Sequence, residues 1–305
     1  MPILTPGLVH APITPFALDL KIDFGRFEKV LEFHLKNGAQ ALAVQMHTGE
    51  SVSLSDIEQR KLLEFTIKQV NGRVPVIAHV SDAGTRIAVN RARHAEQAGA
   101  AAVMATTPYY WTPPPGMLLE HFTRIGSAVK VPFFVFHTPQ ELSTTRLTPE
   151  FVVKLIGKLD NFQGFVDGSL EWQFMILLVT AAWKARPDFQ LISASEYMVS
   201  AGAIGAKSMF SSLAGVAPLL VRRLYDICRT EKYANARQAQ EQIAQLRQIV
   251  KRAGGICGLK GAMCAMGRDC GQPRPPLEAL DASRYQKLEA EMNALTVLRE
   301  EPRGW

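Results

Sequence analysis

The stretch AGAAAVMATTPYY, residues 98–110, contains one complete unit of the fold. Gly99 is typical of the end of a helix, because glycine adopts the left-handed conformation that often closes one. The apolar run Ala101–Ala105 follows, without the alternation of apolar and polar residues that a half-exposed strand shows. Such a run is typical of a parallel strand buried on both faces. The hydroxyls and rings of TTPYY then begin a loop.

Similar apolar runs recur along the first two thirds of the chain, separated by stretches with helix signals. Ser55 and Glu58 have the spacing of a capping box, and Thr148 precedes a proline suited to a first helical turn. The predicted strands are Leu8–Ile13, Ala41–Gln45, Val74–His79, Ala101–Ala105, Val131–His137, Phe162–Val166, Phe189–Ser193 and Ala203–Met209. Eight strands with intervening helices predict an α/β fold of the (β/α)8 TIM barrel type.

The pattern after Pro218 is purely helical. The predicted helices are Leu219–Cys228, Tyr233–Arg252, Gly258–Met266 and Asp281–Arg299. We expect the barrel to occupy residues 1–230. Residues 231–305 should form a C-terminal helical appendix that packs on the barrel and is not an independent domain.

The bulk composition fits an ordinary globular protein that acts on small molecules. The chain has 305 residues, of which 47% are hydrophobic and 20% charged, and a net charge of +6. No apolar run reaches the ~18 residues of a membrane span, and the N-terminus lacks a signal-peptide pattern, so we expect a cytoplasmic protein. The basic residues are scattered among acids, which argues against a nucleic-acid partner. The four cysteines match no metal or redox spacing and are interpreted as buried thiols.

In a TIM barrel the loops after the strands form the functional face. Here these loops include MHTGES, TTPYYWTPPPG, FHTPQEL, VDGS and SASEY, which are rich in hydroxyls and rings. They contain no pair of histidines and no carboxylate cluster suited to a metal, and no GxGxxG follows the first strand. We therefore expect no metal and no cofactor.

The chain resembles the dihydrodipicolinate synthase / N-acetylneuraminate lyase family across nearly its whole length. The resemblance is carried by APITPF (11–16), HTGES (47–51), GRVPVIAHV (72–80), AGAAAVMATTPYY (98–110), VPFFVFHTP (131–139) and AGAIGAKS (201–208). It implies a barrel with a helical appendix, usually assembled into tetramers. It also implies lyase chemistry, in which a sixth-strand lysine forms an imine with pyruvate or a related 2-oxo acid.

The residues of that chemistry are largely replaced. The lysine position falls on Val166, whose isopropyl group cannot act as a nucleophile. The family's fifth-strand tyrosine falls on Phe136, which keeps the ring and loses the hydroxyl donor. Glu141 stands where synthases carry a carboxylate-clamping arginine. Imine chemistry at position 166 is therefore excluded.

Other positions of the family's site keep a polar side chain. His47 replaces the first hydroxyl of the family's Gly-Thr/Ser-Thr-Gly-Glu loop, while Thr48 and Gly49 match it. His47 is a candidate general acid or base, or else an imidazole that only orders its loop. Thr48 and Gly49 are candidate carboxylate binders. Tyr110 matches an aromatic proton relay that in the family reaches into the neighbouring subunit.

Lys207 stands in the predicted eighth strand, where the family usually has an aliphatic residue. Inward side chains of the sixth and eighth strands share barrel layers, so Lys207 could face the same pocket as Val166. It is a candidate cation for an anionic ligand, a relocated imine-forming amine, or a charge paired with Glu196 or Asp167. Asp167 and Glu196 are themselves candidate substrate-binding residues, with Phe136 and Val166.

Three functional hypotheses follow from these replacements. The first is a lyase-type enzyme that acts without the sixth-strand imine on a small 2-oxo acid or related carboxylate. The second is a non-catalytic ligand-binding or regulatory barrel. The third is an imine-forming lyase that uses Lys207. In each case we expect a homo-oligomer, a dimer or a tetramer.

Overall fold

The fold is seen in a computed structural model that describes residues 4–139, 142, 143 and 145–305. Parallel strands pair in chain order and close into a barrel, which confirms the predicted TIM barrel. The strands are β1 (Leu8–His10), β2 (Ala41–Val44), β3 (Val76–His79), β4 (Ala102–Thr106), β5 (Phe133–His137), β6 (Phe162–Asp167), β7 (Gln190–Ser193) and β8 (Ser208–Ser211).

Helices alternate with the strands and then continue alone to the C-terminus. They are α1 (Phe24–Lys36), α2 (Asp56–Val70), α3 (Thr85–Ala98), α4 (Pro115–Ser127), α5 (Pro149–Ile156), α6 (Trp172–Ala185), α7 (Met198–Ala203), α8 (Pro218–Arg229), α9 (Tyr233–Arg252), α10 (Ile256–Ala265) and α11 (Ala282–Ala294). In the part of the chain that the structure describes, none of them is long and apolar enough to cross a membrane.

The local signals read from the sequence form as predicted. Ser55 and Glu58 make both hydrogen bonds of a capping box at the start of α2. The Thr148 hydroxyl accepts a hydrogen bond from the Phe151 amide at the start of α5. Gly99 ends α3 in the left-handed conformation, at φ +98°.

The eighth strand differs from its prediction. We expected Ala203–Met209, but Ala203 is the last residue of α7 and β8 begins only at Ser208. The apolar run that suggested a strand is therefore shared between a short helix, a turn at Gly205 (φ +102°) and the strand itself. Lys207 consequently lies before β8 and not within it.

Alternation along the strands decides which side chains enter the barrel. Phe136 of β5 lies opposite Val166 of β6, and both belong to the cluster that fills the barrel interior. Their successors, His137 and Asp167, are also paired and point to the opposite side, between the sheet and the helices. The interior cluster also contains Val9, Ala41, Ala43, Met46, Ile77, Ala102, Met104, Phe134, Ile192 and Phe210.

The cysteines are unpaired, and three of the four are buried. Cys228, Cys257 and Cys270 fit the prediction of buried thiols. Cys264 is exposed, which corrects that prediction, because it lines a surface cavity beside Tyr285.

The C-terminal helices are tied to the barrel by buried polar contacts. The Gln240 side-chain amide on α9 donates to the Glu196 carbonyl at 2.7 Å. Two amides at the start of α8, those of Leu219 and Leu220, donate to the Glu301 carboxylate at 2.9 and 2.7 Å. We propose on this basis that residues 231–305 fold together with residues 1–230 as one cooperative unit.

Arg268 is the most deeply buried of these connections, because its side chain is excluded from solvent. Its guanidinium donates to the carbonyls of Gly215 and Val216, which follow β8, at 3.0 and 2.9 Å. It also donates to the carbonyls of Pro302 and Gly304 near the C-terminus, at 2.7 and 3.1 Å. The same group stacks over the ring of Phe33, 4.2 Å from its centroid. A single side chain therefore joins the barrel to the end of the chain.

We predict that Arg268→Met lowers the free energy of unfolding by at least about 3 kcal/mol. The substitution keeps an unbranched apolar side chain but leaves four carbonyls without this donor, and the two buried ones, Gly215 and Val216, each cost about 1–3 kcal/mol. Urea unfolding followed by circular dichroism measures the change. The matched control is Arg303→Met, on the same tail, where the arginine is exposed and donates only to the Ala265 carbonyl at 3.2 Å. Equal stability of the two variants would contradict the role given to Arg268.

Candidate functional site

A cavity of about 910 Å³ opens at the carboxyl ends of the strands, where a TIM barrel places its chemistry. Its walls come from the loops after the strands and from α9 and α10, which lean over the barrel mouth. The lining residues used below are Met46, His47, Thr48, Phe136, Leu142, Arg146, Ser169, Ser195, Tyr197, Phe210, Leu213, Arg247, Val250, Lys251, Ile256 and Leu259.

The loop after β2 carries His47 and is held from below by the C-terminal segment. His47–Gly49 form one 3-10 turn, which closes with Glu50 in the left-handed conformation at φ +56°. The buried Glu50 carboxylate pairs with Lys260 of α10 at 2.6 Å and accepts from the Arg274 amide at 2.8 Å. Glu50 therefore fixes the shape of the loop and does not line the cavity.

His47 and Thr48 of this loop face the cavity. Desolvation lowers the pKa of His47 below its ordinary value of 6.5, so the imidazole is neutral at pH 7. The Thr48 hydroxyl oxygen is buried and has no hydrogen-bond partner among the described residues. Gly49, the third residue predicted here to bind a carboxylate, is buried behind them, where its carbonyl accepts from Thr14 at 2.7 Å.

The bottom of the cavity is apolar. Met46, Phe136 and Phe210 line it and belong at the same time to the barrel's interior cluster, and we call these three residues the apolar floor. Val166 lies in that cluster and is completely buried, so it does not reach the cavity as a substrate-binding residue would. The position at which the resemblance implies a lysine is thus occupied by a fully buried isopropyl group.

One cation at the cavity, Arg146, comes from the loop after β5. Its Nη1 donates to His137 Nε2 at 3.2 Å and to the Thr138 carbonyl at 3.0 Å. Because a guanidinium can only donate, His137 accepts through Nε2, and its proton lies on Nδ1, 3.3 Å from Asp167 Oδ1. Asp167 and His137 therefore orient Arg146 from behind the cavity wall. Glu141, predicted to replace the family's arginine in this loop, lies outside the described residues.

A second cation, Arg247, comes from α9. Its guanidinium forms an ion pair with the Glu196 carboxylate, which is fully buried. Glu196 also accepts from the Ser211 hydroxyl at 2.7 Å and from the Leu213 amide at 3.0 Å. Burial lowers the pKa of Arg247 to about 10, which leaves it charged at neutral pH. The guanidinium lies 5.8 Å from the centre of the Tyr197 ring.

These placements correct the roles expected for Asp167 and Glu196. Both carboxylates were predicted to bind substrate, but they are buried and absent from the cavity wall. Asp167 has the outward orientation of its strand, and Glu196 is turned inward beneath Arg247. Each carboxylate holds an arginine that does line the cavity.

Tyr110 lies outside the cavity of its own chain. Its side chain is fully exposed, and its backbone has φ +84°, an unusual value for an aromatic residue. The preceding Tyr109 is half-buried, and burial raises the pKa of its phenol. Of the two adjacent rings, Tyr110 is the one directed into solvent.

Lys207 is exposed at the amino-terminal end of β8, opposite to the end that carries the cavity. Its carbonyl accepts from the Tyr225 hydroxyl at 3.1 Å. None of the three roles considered for the Lys207 amine fits this position. Lys207 does not face the cavity, and the carboxylates of Glu196 and Asp167 are taken by Arg247, Ser169 and His137.

Sequence reasoning missed the three long cations of the cavity. Arg247 and Lys251 are spaced by four residues on α9, so they share one face of that helix. In the sequence, only this spacing indicated that the two residues act together. Arg146 lies beyond the loop positions at which the family resemblance placed an arginine.

The assembled site suits an anion, because three cations, Arg146, Arg247 and Lys251, line it against one carboxylate, Glu171. A neutral imidazole and the Thr48 hydroxyl also face this space, which the apolar floor closes below. Planar guanidinium groups match the geometry of a carboxylate. Among the residues that the structure describes, no three histidine, cysteine, aspartate or glutamate side chains are grouped to hold a metal ion.

Comparison with known sequences agrees with the fold. Residues 5–295 match the dihydrodipicolinate synthetase family. A 4-hydroxy-tetrahydrodipicolinate synthase from Methanopyrus kandleri is 30% identical over 297 residues, which cover 96% of this chain and 97% of that protein. The corresponding synthase from Bacillus subtilis is 29% identical over 289 residues, 93% of this chain and 97% of the relative.

Solved structures give the same result. A crystal structure from Pseudomonas aeruginosa is 27% identical and superposes with a TM-score of 0.90, covering 96% of this chain and all of the other. The dihydrodipicolinate synthase of Aquifex aeolicus, at 24% identity and a TM-score of 0.90, shares the fold over 96% of this chain and 99% of its own. From barrel, appendix and sequence together, this chain belongs to the dihydrodipicolinate synthetase family.

Proposed function

We propose that this protein is a lyase-type enzyme that binds a small 2-oxo acid or related carboxylate and acts on it without an imine at position 166. The observation that carries the proposal is that Arg146 and Arg247 both line a cavity whose floor is apolar. The arginines supply what a carboxylate requires, and Val166 removes the amine that a 2-oxo group would require.

The two arginines are held in place before any ligand arrives. Asp167 acts on Arg146 through His137, and Glu196 acts on Arg247 directly. A preorganised guanidinium loses little freedom when it binds a carboxylate, so more of the interaction energy is available as affinity. Thr48 adds a hydroxyl whose oxygen has no partner among the described residues.

His47 is the proposed general acid or base. It lines the cavity and is neutral at pH 7, so it can accept a proton from a bound carboxylic acid's neighbouring carbon or hydroxyl. Proton transfer of this kind supports elimination or hydration, which are lyase reactions that need no covalent intermediate.

A second candidate function is carboxylate binding without turnover. It is favoured by the positions of Tyr110 and Lys207, which lie away from the cavity in this chain. His47 is then the one predicted acid–base side chain at the ligand.

We also infer that the protein is a cytoplasmic homo-oligomer. Members of its family are commonly oligomeric, and Tyr110 projects fully into solvent where the family resemblance places a residue that enters the neighbouring subunit. Sedimentation velocity measures the assembly; a monomer at micromolar concentration would contradict the inference.

The binding proposal predicts that the double variant Glu196→Gln, Arg247→Gln weakens carboxylate binding by about 10- to 100-fold. Hydrogen bonds to charged groups contribute about 1.5–3 kcal/mol, which corresponds to that range. Changing both partners avoids an unpaired buried carboxylate, and the new side-chain amide oxygen at position 196 can still accept from Ser211 and Leu213. Isothermal titration with 2-oxo, hydroxy and sugar acids measures the affinities.

The control for this variant is Arg237→Gln on the same helix. Arg237 is exposed and pairs only with Glu241, one turn away. The control should bind like the wild type. Undiminished affinity in the double variant would remove Arg247 from the ligand site.

Catalysis is tested by His47→Ala, with His94→Ala as the control because His94 pairs with Glu64 on the outer helices. If His47 transfers a proton, its loss lowers kcat by about 10²–10⁴-fold and leaves the dissociation constant nearly unchanged. The wild-type rate should be flat at pH 7–8 and fall only on acidification below 6.5, because the lowered pKa keeps His47 neutral. Nuclear magnetic resonance of each bound acid detects product. Binding without product in the wild type would establish the binding-only function.

A further inference from the structure

The cavity has two chemically different ends. Its floor is formed by side chains of the barrel interior, namely Met46, Phe136 and Phe210. Its charged groups come from elements added above the strands, with Arg146 and Glu171 on loops and with Arg247 and Lys251 on α9. The charged side chains are therefore concentrated at the mouth of the cavity, and apolar side chains form its bottom.

The walls between these ends are also largely apolar. Leu142 and Leu213 come from loops of the barrel, and Val250, Ile256 and Leu259 come from α9 and α10. Ser169, Ser195 and Ser212 add hydroxyls within two residues of the strand ends. A ligand that reaches from the arginines to the floor must present an apolar surface along most of its length.

The volume agrees with a ligand of this kind. A cavity of about 910 Å³ lies at the upper end of the range of about 300–1,000 Å³ that is typical of sites for drug-sized molecules. Pyruvate would leave most of this space to water. Phe136 and Phe210 are only 7% and 3% exposed, so the floor and the apolar walls together present the hydrocarbon surface that favours an apolar partner.

Resting on the function proposed above, we propose that the ligand is a carboxylate with an extended apolar or aromatic body, such as phenylpyruvate or a medium-chain 2-oxo acid. Its carboxylate lies at the mouth between Arg146 and Arg247. Its body points down onto Phe136 and Phe210. The carboxylate thus stays near the charged rim, and Val166 below the floor supports the apolar end.

This arrangement accounts for the substitutions at positions 136 and 166 together. Phe136 lacks the hydroxyl of the family's tyrosine, and Val166 lacks the family's amine. A buried hydroxyl or amine without a partner beside an apolar chain would cost free energy, whereas a phenyl ring and an isopropyl group do not. The same changes that remove the imine create a floor suited to hydrocarbon.

The test is a series of straight-chain 2-oxo acids from pyruvate to 2-oxooctanoate, with phenylpyruvate, titrated calorimetrically into the full-length protein. Affinity should rise roughly four-fold for each added methylene until the cavity is filled, which corresponds to about 0.8 kcal/mol per group. The double variant Glu196→Gln, Arg247→Gln should lower the affinity for every acid by the same factor, because all of them carry the carboxylate.

Phe136→Tyr tests the floor separately, since it adds one hydroxyl to the apolar floor at nearly constant shape. It should weaken the binding of the long acids about 5- to 20-fold more than the binding of pyruvate. The control, Phe65→Tyr, adds the same group on α2, where Phe65 packs on Phe24 and Phe27 away from the barrel interior. Binding by the control should match the wild type at every chain length.

The outcomes separate this inference from the function on which it rests. Binding of all acids with the same affinity, or preferential binding of pyruvate, would overturn the extended ligand and leave a carboxylate site. Unequal effects of the arginine variant along the series would overturn the orientation. Failure of every acid to bind would remove both the inference and the proposed function.

Discussion

The alternation of side chains along parallel strands is the constraint on which the site depends. Because β5 and β6 pair Phe136 with Val166, these two residues enter the barrel interior together. The next pair, His137 and Asp167, must then lie on the other side of the sheet. One register therefore produces both the apolar interior and the polar support behind it. A shift by one residue would exchange the two and bury two ionisable groups in the barrel.

The two buried carboxylates behind the cavity, Glu196 and Asp167, are stable because each is hydrogen-bonded to a neighbouring side chain. A buried carboxylate costs several kcal/mol unless it is hydrogen-bonded and paired, and Glu196 meets this condition with Arg247, Ser211 and Leu213. Asp167 meets it with His137 and the Ser169 hydroxyl, which donates at 2.9 Å. The two carboxylates orient the two arginines, and the arginines line the cavity. The loop that carries His47 is held in the same way, by the ion pair between the buried Glu50 carboxylate and Lys260.

The barrel could be predicted from the sequence because its signals are local and repeated. Apolar runs, capping residues and glycine turns each act within a few residues, and the order of the motifs carried the family resemblance. The site was less predictable because it depends on contacts between distant segments. Glu196 and Arg247 pair although they are 51 residues apart in the sequence, and no local motif at either position predicts the pair. Lys207 was misplaced by the short shift of β8, which moved its amine from the barrel interior to the opposite rim.

The proposal that this chain works without an imine at position 166 departs from the chemistry that its family resemblance implies. It is tested by treating the protein with pyruvate and borohydride, measuring the intact mass, and using a 4-hydroxy-tetrahydrodipicolinate synthase of the same family as the positive control. Borohydride reduces an imine to a stable amine, so a chain with a reactive lysine gains one pyruvate-derived group. We predict that the synthase is labelled and that this protein keeps its original mass. One pyruvate-derived group per chain, located on a single lysine by peptide mapping, would contradict it.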